Sequence, residues 1–251
     1  MEARTSDNAI TSEYLTKGIL GPSWRGGGEY LHIGFQSTFK RKLKSVPPNI
    51  LPETVVIGFS TDGARLNKGS KQFWPIQYRI LNIQDNRPII AGVFMGTTKP
   101  TNPFDFFEQF VHEVRQMQIQ GINIRNRRIF LRVHAFIADA LGRALILNHY
   151  GHNSTRPCSK CTIEAEWYRR MTFEGARDRL RTDEEYRNLT DEEHHQGRSP
   201  ISELLGLVTQ VPFEGLHALW LGNVKKVLVA NIDGKYNVGR MFFKRIVINI
   251  F

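Results

Sequence analysis

The chain has 251 residues, of which 41% are hydrophobic, 11% aromatic and 23% charged. Those proportions can bury one sizeable core, exclude wholesale disorder and suit one domain or at most two. Lys and Arg number 34 against 24 Asp and Glu, a formal charge of +10; such a surplus favours a polyanionic partner, because each neutralised phosphate releases condensed counterions.

No run approaches the roughly 18–20 apolar residues of a membrane span. The N-terminal MEARTSDNAI also lacks the basic-then-apolar pattern of a signal peptide. The expectation is therefore a protein without a membrane, in the nucleus or otherwise the cytoplasm.

Residues 1–28 are polar and end in three glycines, Gly26 to Gly28, which reads as a flexible N-terminal segment. From Tyr30 to Lys44, the apolar Leu31, Ile33, Phe35, Phe39 and Leu43 run alongside Lys40, Arg41, Lys42 and Lys44. That pattern predicts a basic helix, closed by Pro47-Pro48, whose charges form a solvated face or touch phosphate.

Strand patterns follow. Thr54 to Thr61 is β-branched and apolar and stops at Asp62-Gly63. Gln72 to Ile83 is a second strand, in which Pro75 signals an edge or a bulge, and Ile89 to Met95 a third. Short loops between the three predict an antiparallel meander. A helix comes next: Thr101 or Asn102 as N-cap, Pro103 at the first position, Gly121 after the end, and Phe106, Phe107, Phe110, Val111, Val114 and Met117 on one face. After the basic turn Arg125 to Arg128, Ile129 to Ala138 alternates as a fourth strand ending at Asp139, and Ala140 to Leu147 leaves it as a short helix.

Beyond Gly151 the pattern changes to a Cys pair, a charged stretch TIEAEWYRRM read as helical, and an acidic–basic segment. Leu216 to Val229 is again helical, and MFFKRIVINIF forms an apolar tail. The expected organisation is a core over 29–151, an insertion over 152–215 and a C-terminal helix and tail over 216–251.

Strand, strand, strand, helix, strand, helix is the plan of an RNase H-like core: an α/β fold with a mixed sheet, its first three strands antiparallel and helices on its faces. The first and fourth strands of that plan are neighbours, so Asp62 and Asp139 are brought together as candidate catalytic carboxylates. Hard divalent ions such as Mg²⁺ or Mn²⁺ take oxygen ligands of this kind, and a metal pair about 4 Å apart can activate water and stabilise a leaving oxygen. Taken alone, Asp62-Gly63 is a turn former. Arg65, Lys68 and Lys71 can hold a phosphate nearby or be plain loop charges.

The two cysteines are spaced Cys158-x-x-Cys161, with His152, His194, His195 and His217 as further ligands. Two thiolates and two imidazoles make a closed tetrahedral zinc site that can staple a loop-rich insertion. Cys158, Cys161, His195 and His217 form the candidate set. Ordinary reduced cysteines, a solvated His194-His195 pair and a core His217 are the bland alternatives.

STDGARLNKGSKQFWPI, AGVFMGTTKP, AFIADALGRALIL, the C-x-x-C loop, RTDEEYRN, DEEHHQGRSP and PFEGLHALWLGNVKKVL, in this order over about residues 28 to 238, resemble transposase-like proteins of invertebrate transposable elements. The likeness is to the CACTA (En/Spm-like) group of DDE/D transposases. It implies a metal-dependent enzyme that cleaves and transfers DNA strands, with Asp62 and Asp139 as its first two acids, nuclear location and an oligomeric state. The third acid of that group is expected on a helix past the late block, so a truncated, inactive form is expected, with Glu214 or Asp233 as candidate substitutes; the alternative is a non-catalytic nucleic-acid-binding or interaction module, or a non-functional gene fragment. Glu214 stands where such blocks read Asp.

Overall fold

The structure is a computed structural model that describes residues 23–25, 27–65, 70–85, 87–169, 171–174 and 178–232. Of the expected flexible segment over residues 1–28, residues 1–22 and 26 lie outside them, as do Lys68, Asp233 and the tail from Met241, while Ser23–Arg25 and Gly28 are in paired strands rather than a flexible run.

The architecture is α/β. Strands β1 (Ser23–Arg25), β2 (Gly28–His32), β3 (Thr54–Ser60), β4 (Ala64–Arg65), β5 (Gln72–Ile80), β6 (Ile89–Gly96), β7 (Ile122–Ile124) and β8 (Arg127–Ile137) form one mixed sheet. Its order is β1-β2-β6-β5-β3-β8-β7, with β4 paired to β5. The expected meander is present as β3, β5 and β6, antiparallel throughout, and β8 runs parallel to β3.

Alternation explains the strands. In β3, Val55, Ile57 and Phe59 are buried while the residues between them are not. Burying one face of an alternating strand fixes its register, because a slip of one residue would turn the apolar set to water. Pro75 lies in β5, an interior strand, one residue before a register shift at Ile76/Gln77. Of the two readings of Pro75, the bulge holds and the edge does not.

The basic stretch from Tyr30 divides differently from the helix expected of it. Tyr30 belongs to edge strand β2, paired with β6, and helix α1 (Phe35–Ser45) begins only after Gly34. Gly34 has φ 96, a region open mainly to glycine, and both it and Ile33 donate to Ala91 O at 3.0 Å. The chain therefore turns sharply from strand to helix there. Of the basic residues of α1, Lys42 pairs with Asp85, whereas Lys40, Arg41 and Lys44 are exposed; Arg125, from beyond β7, donates to Val46 O at 3.0 Å at the end of α1.

Helix α2 (Pro103–Gln120) follows its caps as expected, with Asn102 Oδ1 accepting from Phe104 N at 2.9 Å and Pro103 at the first position. α1 and α2 cover one face of the sheet with an aromatic cluster. Phe59 meets Phe110 edge-on at 4.6 Å between ring centroids, and Phe35 meets Tyr78 at 4.7 Å. Edge-to-face pairs of this kind add to the area they bury.

Helix α3 (Ala140–Leu147) leaves β8 as expected. The stretch TIEAEWYRRM, read as helical, is instead a two-stranded hairpin, β9 (Ala165–Trp167) and β10 (Met171–Phe173), beside helix α4 (Asp183–Asn188). Its even spread of charge carries no 3.6-residue apolar stripe, so local cross-strand pairing sets its form.

Two compact units divide at Pro212/Phe213. The end of the expected insertion, with Ile201, Leu204, Leu207 and Val211, belongs to the core cluster of the first unit. The second unit carries a π-helical stretch, Leu216–Val224, continued by α5 (Lys225–Ile232). Among the described residues no helix is long and apolar enough to cross a membrane.

Candidate functional site

The last paired residues of the two parallel neighbours are Ser60 on β3 and Ile137 on β8. Asp62 and Asp139 each follow two residues later, so the register carries both acids to the same end of one strand pair. Asp62 is exposed and Asp139 half-buried.

Local chemistry holds each of them. Gly63 is pressed against Trp74; a Cβ there would come within 2.5 Å of the indole. That close approach is why glycine follows Asp62. Asp139 is the N-cap of α3 and its Oδ1 accepts from Gly142 N at 2.7 Å. A Cβ on Gly142 would lie 3.1 Å from Asp139 Oδ1 and 3.4 Å from Thr61 O, so the first turn of α3 sits directly against the end of β3.

Two carboxylates at adjacent strand ends suit a hard divalent cation, which takes one or two protein carboxylates and completes its shell with water and phosphate oxygens. The capped oxygen of Asp139 leaves Oδ2 for that purpose. Among the described residues no group of three or more His, Cys, Asp and Glu is arranged around a common metal position.

The cations near the two acids are Arg65 on β4, which is exposed, and Arg143 on α3, on which Asp139 and Cys158 both act electrostatically. The KRKLK stretch lies elsewhere. Arg125, just before β8, donates to the carbonyl of Lys44, whereas Asp139 follows the far end of that 11-residue strand. At about 3.3 Å per residue the separation is roughly 35 Å.

Glu214, considered as a third acid, has a different task in the second unit. Its carboxylate accepts from Leu216 N at 2.8 Å, from His217 N at 2.6 Å and from His217 Nδ1 at 2.9 Å. The bond from the His217 amide leads the interactions that hold its carboxyl below the usual range. His217 itself is exposed.

The other concentration of chemistry lies between His149 and His195. Cys158 and Cys161 are both free thiols and hydrogen-bond to each other. Lys160 N donates to Cys158 Sγ at 3.4 Å, and the amide of Cys161 adds a second bond. The amides of Ile163 and Asp178 donate to the Cys161 sulfur. Burial pushes the Cys158 thiol up; burial also opposes ionisation of Cys161, but its amide donors outweigh that and bring it down. Arg181 Nε donates to the carbonyls of Cys158 at 3.0 Å and Cys161 at 3.1 Å, and its Nη1 pairs with Asp191 at 2.8 Å.

Three histidines stand beside this turn. His149 and His195 are bridge partners, His149 stacks on His194 at 4.6 Å, and Tyr186 meets His195 edge-on at 4.6 Å. His194 is satisfied on both sides, at Arg156 O and Tyr186 Oη, each at 2.6 Å. His149 donates through Nδ1 to Tyr150 O at 2.5 Å, and its Nε2 is buried without a partner. Neither ring nitrogen of His195 has one. A buried polar group left unpaired costs about 1–3 kcal/mol, so three such nitrogens in one place are costly. Burial is the main cause that pushes His149 down to about 3 and His194 to about 4, so both rings are neutral.

Sequence reasoning brought Asp62, Asp139, Cys158, Cys161 and His195 forward and missed His149, Tyr186 and Arg181. Nothing in the pattern NHYGH marks its first histidine as buried; the bridge to His195 does. The sequence matches no family model and no curated protein.

Proposed function

We propose that this chain is a transposase-derived, RNase H-like domain that acts on DNA, with Asp62 and Asp139 as the carboxylates that hold Mg²⁺ or Mn²⁺. The observation that carries the reading is the parallel pairing of β3 with β8, which delivers the two acids in register to one end of the sheet. The strand order β6-β5-β3-β8, with three antiparallel strands followed by a parallel neighbour of the first, supports the same lineage. So does the formal charge of +10.

A bound divalent ion would activate water and stabilise charge on a phosphodiester oxygen. The chain's own contribution is positional. The Gly63–Trp74 contact and the α3 cap fix where the two carboxylates point, and Arg65 offers a phosphate partner beside them. Strand cleavage and transfer is the chemistry of the family that the sequence resembles. A third acid is assigned to no described residue, so the role proposed for this chain is DNA binding around a two-carboxylate metal site.

The test is duplex binding together with Mn²⁺-dependent nicking, comparing the natural chain with a D62N/D139N double variant. Asn is preferred to Ala at 139 because its side-chain oxygen keeps the helix cap, whose loss costs about 1 kcal/mol. Binding that weakens steeply with salt is expected, without multiple turnover. Nicking that disappears in the double variant would show that a full catalytic set is present. A folded protein with no affinity for duplex at low salt would sink the reading.

A further inference from the structure

From the buried histidines beside the Cys turn, we infer a structural zinc site formed by Cys158, Cys161, His149 and His195, with His149 in the place that sequence reasoning gave to His217. The cysteines lie in a turn whose backbone amides already point at both sulfurs. Two thiolates alone are half of a tetrahedral zinc shell.

The other half is supplied by two rings with buried nitrogens that no protein group satisfies, His149 Nε2 and both nitrogens of His195. His149 is 6% exposed and His195 7% exposed. Donation from His149 Nδ1 to the Tyr150 carbonyl puts that ring in the tautomer whose Nε2 bears a lone pair, the state in which a histidine binds a metal. His195 offers either nitrogen. His194, between them, has both nitrogens occupied and is excluded on that ground.

Proximity rests on shared neighbours. Arg181, which holds the carbonyls of Cys158 and Cys161, pairs with Asp191, whose own carbonyl accepts from His195 N at 2.9 Å, and the carbonyl of Arg156, two residues before Cys158, accepts from His194. The side chains are not arranged around a common metal position, so loading requires the four ligands to draw together. Tetrahedral coordination would then satisfy two of the three orphaned nitrogens, His149 Nε2 and one ring nitrogen of His195, and tie the 149–161 loop to the 191–195 turn, a region with little apolar core of its own.

The site is tested on the full chain by zinc content and by Co²⁺ substitution, read from the d–d bands and the thiolate-to-cobalt charge-transfer band. One metal per chain with a tetrahedral spectrum is expected. Loss even of an outer partner of a metal ligand costs about 10–100-fold in affinity, so H149Q and H195Q should each lose at least that much, while H217Q retains full affinity. If H149Q disturbs folding, H149C keeps a ligand in place and should strengthen the charge-transfer band by adding a third thiolate. Loss of affinity in H217Q with none in H149Q, or folded protein with reduced thiols that takes up no metal, overturns the assignment. The site does not depend on the DNA reading: either can fail while the other stands.

Discussion

The sheet with its two helices and the segment between His149 and His195 are packed on opposite principles. The sheet hides an aromatic interior, Phe35, Phe59, Phe107, Phe110, Tyr78 and Phe136, almost free of polar groups. The segment hides Ser159, Arg181, His149, His194 and His195, with little apolar residue around them beyond Cys161, Ala165 and Tyr186. Apolar packing is non-directional and tolerates imprecise placement, whereas buried polar groups are stabilising only when each finds a partner. The difference explains why the orphaned atoms that suggest a ligand gather in the segment.

The largest effect should separate the two. Phe59 is 1% exposed and touches four aromatic rings, so F59A should cost about 3–5 kcal/mol. Chemical denaturation should show it as a lower midpoint with loss of the whole fold. A midpoint within error of the natural chain would mean that this cluster is not the core.

A smaller and local effect is expected from D191A. The Arg181 side chain is 1% exposed and loses its carboxylate in this variant. An uncompensated buried charge costs about 3 kcal/mol. Amide hydrogen exchange should quicken over the 156–195 segment while β3, β5 and β8 keep their protection. Equal loosening of the sheet would show that the two regions are one cooperative unit.

The mildest test is pH. Burial works against the Asp183 carboxylate, but its bonds from Thr209 Oγ1 and from the amides of Val208 and Thr209 outweigh that and hold it below the usual value of 3.8. A carboxyl with a depressed folded value adds stability that is present above 3.8 and is lost as pH falls through the lower folded value, because the unfolded chain then binds the proton first. Acid titration should therefore release the contact between α4 and residues 206–209 below pH about 4, and D183N should flatten that part of the curve. An unchanged acid limb in D183N would remove Asp183 from the account.

Much of the sheet was readable before any coordinates. Apolar, β-branched runs between turn signals located β3, β5 and β6, alternation located β8, and the Asn102-Pro103 start and Gly121 stop placed α2 within its observed bounds. The capping role of Asp139 was not read, although Asp139 at a strand end followed by a helical pattern is a cap signal. The β2–α1 break at Gly34 was illegible because a positive φ at one glycine leaves no mark in hydrophobic periodicity. The β9–β10 hairpin was illegible for a different reason: its charges are spread without period, and pairing between neighbours decided its form.

The sequence by itself determined the order of the main elements, β3, β5, β6, α2, β8 and α3, and the two acids at strand ends. Those follow from local rules, because a period of 2 or 3.6 and a cap are properties of neighbouring residues. Only the tertiary structure decided that the expected neighbours β3 and β8 do pair, in parallel, that Glu214 is occupied by its own helix start, and that His149 is buried opposite His195 with a nitrogen to spare. Those depend on which distant segments meet and on which polar groups are then shut away from water, and no local pattern records either.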